Sequence, residues 1–175
     1  MMPGYLNKQD IMGIKSVSVY PKNANIGLES HQGTVTLFNA KNGIPLAIMD
    51  AGQITAIRTA AVSAVATKIL AKNNSKILAI LGSGVQARTH IEAMNTVLNL
   101  DEIRVWSRNK NSVKSLVEKQ SKKYNVPFRH FDSVNDSICD ADVICTTTAS
   151  VEPVLHGKYL MDGVHINAVG SSCLL

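Results

Sequence analysis

Up to residue 50, apolar and polar positions alternate in short segments. Residues 15–20 (Lys-Ser-Val-Ser-Val-Tyr) and 33–38 (Gly-Thr-Val-Thr-Leu-Phe) both have the two-residue period of a strand with one buried face. Asn42-Gly43 is a preferred turn sequence, and an apolar segment returns at residues 45–49. The pattern therefore predicts a strand followed by a β-hairpin over residues 33–49.

A different pattern begins near residue 55. Residues 56–70 are rich in alanine and contain neither Gly nor Pro, which predicts a helix with Thr55 as its N-cap. From Lys76 onward, short apolar segments alternate with longer segments of helical spacing. The predicted strands are residues 77–81, 103–106, 126–129, 143–147 and 164–169, and the predicted helices are residues 85–98, 111–124 and 134–138.

Strands that alternate with helices in this way predict an α/β fold, with a doubly wound parallel sheet covered by helices on both faces. The polar segment 72–76 (Lys-Asn-Asn-Ser-Lys) is the predicted boundary before it. We therefore expect part of a mixed β domain with a linking helix over residues 1–72, and the doubly wound domain over residues 73–175.

The most specific motif follows the first strand of the second domain. Gly82-Ser83-Gly84-Val85-Gln86-Ala87 fits the G-x-G-x-x-G/A pattern and lies between a predicted strand and a predicted helix. In this pattern the first glycine makes a tight turn, the second lets the backbone approach a pyrophosphate, and Ala87 permits close packing of helix on strand. N–H groups at the helix start would bind the phosphates. The motif predicts a dinucleotide site, with an ordinary strand-to-helix turn as the alternative.

The end of the next strand bears on the choice of dinucleotide. An NAD site places Asp or Glu there, against the ribose 2′-hydroxyl. This chain has Ser107-Arg108-Asn109 instead, and a guanidinium with a neighbouring hydroxyl can bind a 2′-phosphate. The sequence therefore favours NADP(H) over NAD, and an ordinary surface arginine is the alternative.

Arg58 is the second candidate. It stands in the predicted first turn of an otherwise uncharged helix segment, where a cation opposes the helix dipole unless an anion compensates it. A substrate carboxylate, a cofactor phosphate or a structural ion pair would each do so, and the spacing does not choose between them.

Composition narrows the class of protein. The 175 residues are 45% hydrophobic and 18% charged, which excludes a disordered chain. Eight basic side chains and one acidic side chain lie in residues 104–130, and we interpret them as a solvated helix face with one phosphate-binding arginine, so nucleic acid is not expected. No metal-ligand spacing, export leader or membrane span is visible, and the three cysteines are expected to be buried in a reducing compartment. We expect a soluble cytoplasmic protein.

Six segments between about Gly13 and Gly170 carry a family resemblance. They are residues 29–35 (Glu-Ser-His-Gln-Gly-Thr-Val), 56–64 (Ala-Ile-Arg-Thr-Ala-Ala-Val-Ser-Ala), 81–87, 105–109 (Val-Trp-Ser-Arg-Asn), 141–144 (Ala-Asp-Val-Ile) and 165–170 (His-Ile-Asn-Ala-Val-Gly). Together they strongly resemble the ornithine cyclodeaminase/mu-crystallin family, and most of all its mu-crystallin branch of NADPH-dependent ketimine reductases.

The resemblance implies a Rossmann-type domain joined to a substrate and dimerisation domain, and a homodimer of the full-length protein. It assigns Lys15 and Arg58 to catalysis and substrate binding, with His31 in the same pocket. The cofactor residues that it implies are Arg58, Gly82, Ser83, Gly84, Val85, Gln86, Ser107, Arg108, Asn109, Ser112, Thr148, Ala149 and Val169.

Two departures from the family pattern matter. Cyclodeaminases carry an aspartate where this chain has Ser172, which argues against deaminase chemistry and leaves Ser172 as a substrate-binding candidate. Relatives are also longer at both ends, so the chain is expected to be a fragment or truncated form whose sheet is incomplete and whose own activity is poor.

The resemblance implies reduction of cyclic ketimine carboxylates with NADPH. A cyclodeaminase that converts ornithine to proline and ammonia with NAD, and a non-catalytic binder of NADPH and a thyroid-hormone-type carboxylate, are the alternatives.

Overall fold

The computed structural model describes residues 1–170, which divide into two compact units. The first unit ends at Ile57 and the second begins at Arg58, so the division falls within a helix. The first unit contains a four-stranded antiparallel sheet in the order β1-β2-β3-β4. Its strands are β1 (Met2–Leu6), β2 (Ile11–Val19), β3 (His31–Asn39) and β4 (Pro45–Asp50).

The predicted hairpin is confirmed as β3 and β4. Gly43, in the turn between them, has a φ of 75°, a conformation that glycine adopts without strain. Strand β1 was not predicted, because Pro3 and Gly4 lie inside it. A proline is tolerated there since β1 is an edge strand, where a missing N–H donor costs no ladder bond.

Helix α1 (Ala51–Leu70) begins earlier than the sequence predicted. Asp50 Oδ1 accepts a hydrogen bond from the Gln53 N–H at 2.8 Å, which is the contact of an N-cap side chain. The prediction that Thr55 caps the helix is therefore wrong. Gly52 made the sequence before Thr55 resemble a turn, although the aspartate signal was present.

The second unit contains a five-stranded parallel sheet in the order β7-β6-β5-β8-β9. This is the Rossmann arrangement, in which the chain starts in the middle, winds outward on one side and then crosses to the other. The strands are β5 (Ile77–Leu81), β6 (Glu102–Trp106), β7 (Phe128–His130), β8 (Val143–Thr146) and β9 (His165–Ala168). The helices are α2 (Val85–Val97), α3 (Lys110–Ser121) and α4 (Val134–Ile138). The predicted fold class is confirmed, and every element predicted from residue 77 onward is present.

Apolar side chains cover both faces of this sheet. On one face, Ala64 of α1 and the buried sides of α2 and α3 pack on Leu78, Ile80 and Val105. On the other face, α4 packs on Ala79, Leu81 and Ile144, together with the segment before β9. Because both faces are covered, the strands are contiguous apolar segments rather than alternating ones.

Cys145 and Cys139 have different environments. Cys145 is buried, as expected, and burial raises the pKa of its thiol to about 12, but Cys139 is exposed, which corrects that expectation. Cys139 follows the last turn of α4 and precedes Asp140, whose φ of 55° turns the chain back to the sheet.

No helix in residues 1–170 has both the length and the apolar character needed to cross a membrane.

Candidate functional site

The candidate site lies where the winding direction of the parallel sheet reverses, between β5 and β8. Ligands of open parallel sheets bind at the carboxyl ends of the strands at such a point. Gly82 follows β5 there and Thr147 follows β8. The Thr147 N–H and hydroxyl both donate to the Leu81 carbonyl, at 2.7 and 3.0 Å. These bonds hold the two strand ends together directly beneath the glycine-rich turn.

Gly82 cannot be replaced by a larger residue without a shift of the backbone at its contact with Thr147. Its φ is 134°, which side chains rarely adopt, and a Cβ would stand 2.5 Å from Thr147 Oγ1 and 2.7 Å from the Thr147 carbonyl oxygen. The predicted tight turn is therefore present, with a close backbone contact that sequence reasoning did not identify. Thr147 was not among the predicted site residues. The only signal for it in the sequence is its position in the Thr-Thr-Thr segment at the end of a predicted strand.

Gly84 has a different environment. Its backbone is extended, and a Cβ on it would meet no protein atom within 4 Å. Packing therefore does not require a glycine here, whereas close approach of a ligand to the backbone does. Gly84 is the N-cap of α2, and no side chain caps the helix, so the first N–H groups of that helix have no intrahelical acceptor.

Two side chains around the turn also bear on ligand binding. Ser83 Oγ donates to Ser107 Oγ at 3.1 Å, which ties the glycine turn to the end of β6. Gln86 Oε1 is buried and has no hydrogen-bond partner within residues 1–170. Val85 is half-buried at the start of the same helix. An extended backbone without a blocking Cβ and helix N–H groups without an intrahelical acceptor fit a phosphate-bearing ligand.

The end of β6 carries the predicted 2′-phosphate residues. Arg108 is exposed and makes no ion pair or hydrogen bond with any residue in the described range 1–170. Asn109 caps α3 by accepting from the Ser112 N–H at 3.1 Å, so both residues have a structural role as well as the predicted one. Together with Lys110 and Asn111, Arg108 and Asn109 line an open depression.

The charges near this depression are partly compensated. Lys110 forms an ion pair with Asp132 at 2.7 Å, and this hydrogen bond holds the pKa of Asp132 below its usual value. Elsewhere in the basic segment, Arg104 and Arg129 both bind Glu102. Arg108, the arginine predicted to bind the 2′-phosphate, is thus one of the basic side chains of this segment that have no acidic partner within the described residues.

The remaining cofactor candidates follow β8 and β9. The Gly170 N–H donates to the Thr146 carbonyl at 2.6 Å, and a Cβ on Gly170 would stand 2.1 Å from the Thr148 carbonyl oxygen. This contact brings Thr148 and Val169 to the same edge of the sheet as the glycine turn. Ala149 is the next residue and is exposed.

Lys15 and His31, the substrate candidates of the first unit, share a face of the antiparallel sheet. Lys15 lies opposite Val35 in the β2–β3 register, and His31 lies opposite Val19. Four residue positions separate the two pairs, or about 13 Å along the strands, so the sheet does not bring the two side chains into contact. Lys15 is half-buried and its Nζ donates to Thr55 Oγ1 at 3.0 Å, while His31 Nδ1 lies 2.9 Å from Ser30 Oγ.

Arg58 is the eighth residue of α1, two turns from its start. The argument from the helix dipole is therefore wrong, because that field acts within the first turn. Arg58 is exposed and has no ion pair with any other residue in the range 1–170, so the structural ion pair is not found there. Ser172 lies outside the described residues.

The described part of the chain contains no cluster of three or more His, Cys, Asp or Glu side chains that could hold a metal ion. The polar groups that converge at the sheet edge are hydroxyls, amides, backbone N–H groups and one guanidinium. This set binds phosphates and carboxylates.

Comparison with known proteins gives a consistent family. The model of the ornithine cyclodeaminase/mu-crystallin family matches residues 1–174. Ketimine reductase mu-crystallin of Mus musculus is 42% identical over 172 residues, which cover 98% of this chain and 54% of the mouse protein.

Two solved structures share the fold of the chain. One is Δ1-pyrroline-2-carboxylate reductase of Thermococcus litoralis in complex with NADH and L-proline, with a TM-score of 0.90, 39% identity, and coverage of 94% of this chain and 51% of that one. The other is an archaeal alanine dehydrogenase dimer with bound NAD, with a TM-score of 0.89, 31% identity, and coverage of 97% and 51%. The chain thus spans about half the length of the proteins that it matches.

Proposed function

This chain belongs to the ornithine cyclodeaminase/mu-crystallin family, and from that premise we propose that the whole protein reduces cyclic ketimine carboxylates with NADPH. The substrate class is a small ring with a C=N bond and a carboxylate on the imine carbon. The proposal is supported by the names of two relatives, a ketimine reductase and a Δ1-pyrroline-2-carboxylate reductase.

The observation that carries the proposal is the close contact between Gly82 and Thr147 at the point where the winding direction of the sheet reverses. It supports a dinucleotide site, because it holds the glycine turn against the end of β8, and a Cβ at Gly84 in the same turn would meet no protein atom within 4 Å. Ser83, Gly84, Val85 and Gln86 would line the pyrophosphate. Thr148, Ala149 and Val169, at the ends of β8 and β9, would lie on the nicotinamide side.

A preference for NADPH is supported by the end of β6. Ser107 and Arg108 stand where an NAD site has a carboxylate, and Arg108 has no acidic partner within the described chain. A guanidinium can bind a 2′-phosphate with two parallel hydrogen bonds. Asn109 and Ser112 would contribute from the start of α3. The neighbours of known structure contain NADH or NAD, so the choice of cofactor is part of the proposal.

The roles of the chain's own residues follow from their chemistry. Arg58 would hold the substrate carboxylate, since it is an exposed guanidinium without an acidic partner in residues 1–170. Lys15 would donate a proton toward the imine nitrogen, and its Nζ is oriented by the Thr55 hydroxyl. A reduced nicotinamide, when bound, would supply the hydride for the imine carbon, and with the proton from Lys15 the C=N bond would become the C–N bond of an amine. His31 and Ser172 remain substrate-binding proposals.

The organisation of the whole protein is proposed on the same basis. Residues 1–72 would belong to a substrate and dimerisation domain with its linking helix, and residues 73–175 to the dinucleotide domain. A homodimer is supported by the neighbour of known structure that is a dimer.

The test is an assay of the full-length protein with Δ1-pyrroline-2-carboxylate and either NADPH or NADH, following oxidation of the nicotinamide. We expect proline as the product and a higher kcat/KM with NADPH. Formation of proline and ammonia from ornithine with NAD, without imine reduction, would establish the cyclodeaminase alternative. Tight binding of NADPH and an iodothyronine without turnover would establish the binder.

A matched pair of variants tests the carboxylate role. Arg58→Ala should raise the KM for the imino acid about ten- to a hundredfold, as expected when a charge-assisted contact is lost. Lys68→Ala removes an exposed cation from the same helix and should leave KM unchanged. Equal effects of the two substitutions would show that only net charge matters.

A further inference from the structure

A line of buried polar side chains crosses the second unit and ends at Gln86, one of the residues assigned above. We call it the polar seam: Ser63 and Thr67 on α1, His90 on α2 and Asn167 on β9. These residues are 8%, 1%, 0% and 7% exposed. Polar groups this deeply buried are costly unless each is hydrogen-bonded, so the contacts of the seam fix the elements that carry it.

The hydrogen bonds of the seam form a continuous chain. Asn167 Nδ2 donates to Thr67 Oγ1 at 2.8 Å, and the Thr67 hydroxyl donates to the Ser63 carbonyl at 2.8 Å. Ser63 Oγ lies 3.0 Å from His90 Nε2, and His90 Nδ1 lies 2.7 Å from the Gln86 carbonyl oxygen. The seam therefore runs from β9 to the first turn of α2.

The last of these contacts fixes the protonation of His90. A carbonyl oxygen can only accept, so Nδ1 must carry a hydrogen and donate it to Gln86. In the neutral ring Nε2 then accepts from the Ser63 hydroxyl, which satisfies both nitrogens. Burial lowers the pKa of His90, although its bond to the Gln86 carbonyl opposes that shift, and this direction agrees with a neutral ring.

The Gln86 carbonyl is tied to a phosphate-binding group. It shares a planar peptide unit with the N–H of Ala87, so a bond that fixes one end fixes the direction of the other. The Ala87 N–H is among the first four of α2, which have no intrahelical acceptor, since the Arg88 N–H is the first to donate back, to the Gly84 carbonyl. His90 thus contacts the carbonyl of a peptide whose N–H, that of Ala87, has no intrahelical acceptor.

We propose that His90 is a positioning residue for dinucleotide binding: its imidazole fixes the Gln86–Ala87 peptide so that the Ala87 N–H is directed at a phosphate oxygen. This inference rests on the proposed function, because it requires a dinucleotide at the glycine turn. Ser63 contributes indirectly, because its hydroxyl contacts the other nitrogen of the ring, Nε2, at 3.0 Å.

Two substitutions separate the two nitrogens of the ring. In His90→Asn the amide nitrogen can stand near the position of Nδ1 and still donate to Gln86, whereas in His90→Gln the amide reaches the position of Nε2 and contacts Ser63 instead. We expect His90→Gln to raise the Kd for NADPH about three- to tenfold, which is the worth of one hydrogen bond, and His90→Asn to change it by less than about twofold. Isothermal titration of the full chain, with melting temperatures measured in parallel, supplies both readouts.

The outcomes are distinguishable. A larger effect of Gln than of Asn, at similar melting temperatures, supports the positioning role, because general loss of packing would not choose between the nitrogens. Equal Kd values for the two variants, with NADPH still bound by the unsubstituted protein, overturn the inference alone. Failure of the unsubstituted protein to bind any nicotinamide dinucleotide overturns the proposed function and the inference with it.

Discussion

At the scale of single residues, Arg108 gives the sharpest test of cofactor choice. If it binds the 2′-phosphate, Arg108→Ala should weaken NADPH binding about ten- to a hundredfold and leave NADH nearly unchanged, because NADH lacks that phosphate. Titration of both cofactors against both proteins measures the difference. Lys119→Ala, which removes an exposed cation from α3, controls for the general field of the basic segment. Equal losses for NADH and NADPH would make Arg108 a structural residue.

The two glycines of the turn should respond differently to the same methyl group. Gly82→Ala places a Cβ 2.5 Å from Thr147 Oγ1 at a φ of 134°, and we expect it to lower the free energy of unfolding by about 1–3 kcal/mol. Gly84→Ala meets no protein atom within 4 Å, so we expect a loss of less than about 1 kcal/mol, the cost of a poorer N-cap. Urea unfolding of the two variants measures this contrast.

The Gly84 variant carries a second readout. Its methyl group would stand where a phosphate approaches the backbone, so the Kd for NADPH should rise by about tenfold or more while the protein stays folded. A stable Gly84→Ala protein with unchanged NADPH affinity would show that this glycine does not face the cofactor.

At the scale of elements, the polar seam makes stability depend on pH. Burial lowers the pKa of His90 below its ordinary value of 6.5, so near and below pH 6.5 the unfolded chain binds a proton that the folded chain does not. The contribution of this group to stability is present above pH 6.5 and is lost as the pH falls toward its folded pKa. The slope approaches about 1.4 kcal/mol per pH unit for one proton.

Unfolding at pH 7.5, 6.5 and 5.5 tests this directly. We expect His90→Asn to unfold with a flatter pH dependence than the unsubstituted protein, because it has no buried imidazole to charge. The slopes are compared rather than the absolute stabilities, since the substitution also changes packing. His156→Asn, at an exposed histidine, should retain the original slope. Identical slopes for all three proteins would contradict the prediction.

An element is predictable from the sequence when its own residues carry the signal, and it is missed when the signal depends on its place in the fold. The parallel sheet was predicted because buried strands such as β5 are contiguous apolar segments bounded by polar residues. Strand β1 was missed because Pro3 and Gly4 argue against a strand, and only its place at the edge makes them acceptable. The start of α1 was placed late because Gly52 hides the cap at Asp50.

The candidate site divides in the same way. The glycine motif is local in sequence and was found, whereas Thr147 was missed because it matters only through the pairing of β8 with β5. The seam has no local signature, since Ser63 and His90 are 27 residues apart and Thr67 and Asn167 are 100 residues apart. Contacts of that separation follow from the topology and become visible only in the folded chain.

At the scale of the whole molecule, the exposed face of α1 bears on assembly. Val62, Val65 and Ile69 are spaced three and four residues apart, so they share one side of the helix, and they are 66%, 58% and 72% exposed. An apolar stripe of this kind on a folded surface commonly marks an interface. We expect the proposed homodimer to bury this stripe, because the stripe would otherwise leave three large apolar side chains in water.

A double substitution tests whether this stripe belongs to the dimer interface. Val65→Asp with Ile69→Asp would place two carboxylates in an apolar contact, and each buried charge without a partner costs several kcal/mol in principle, on the order of the whole gain from such a stripe. We therefore expect the variant to be monomeric at concentrations where the unsubstituted full chain is dimeric, as measured by light scattering after size-exclusion chromatography. Lys119→Asp introduces an aspartate at an exposed, charged position of α3, away from the stripe, and it should leave the dimer intact. A dimer that survives the double substitution would exclude this face of α1 from the interface, because two unpaired carboxylates cannot be buried there without loss of affinity.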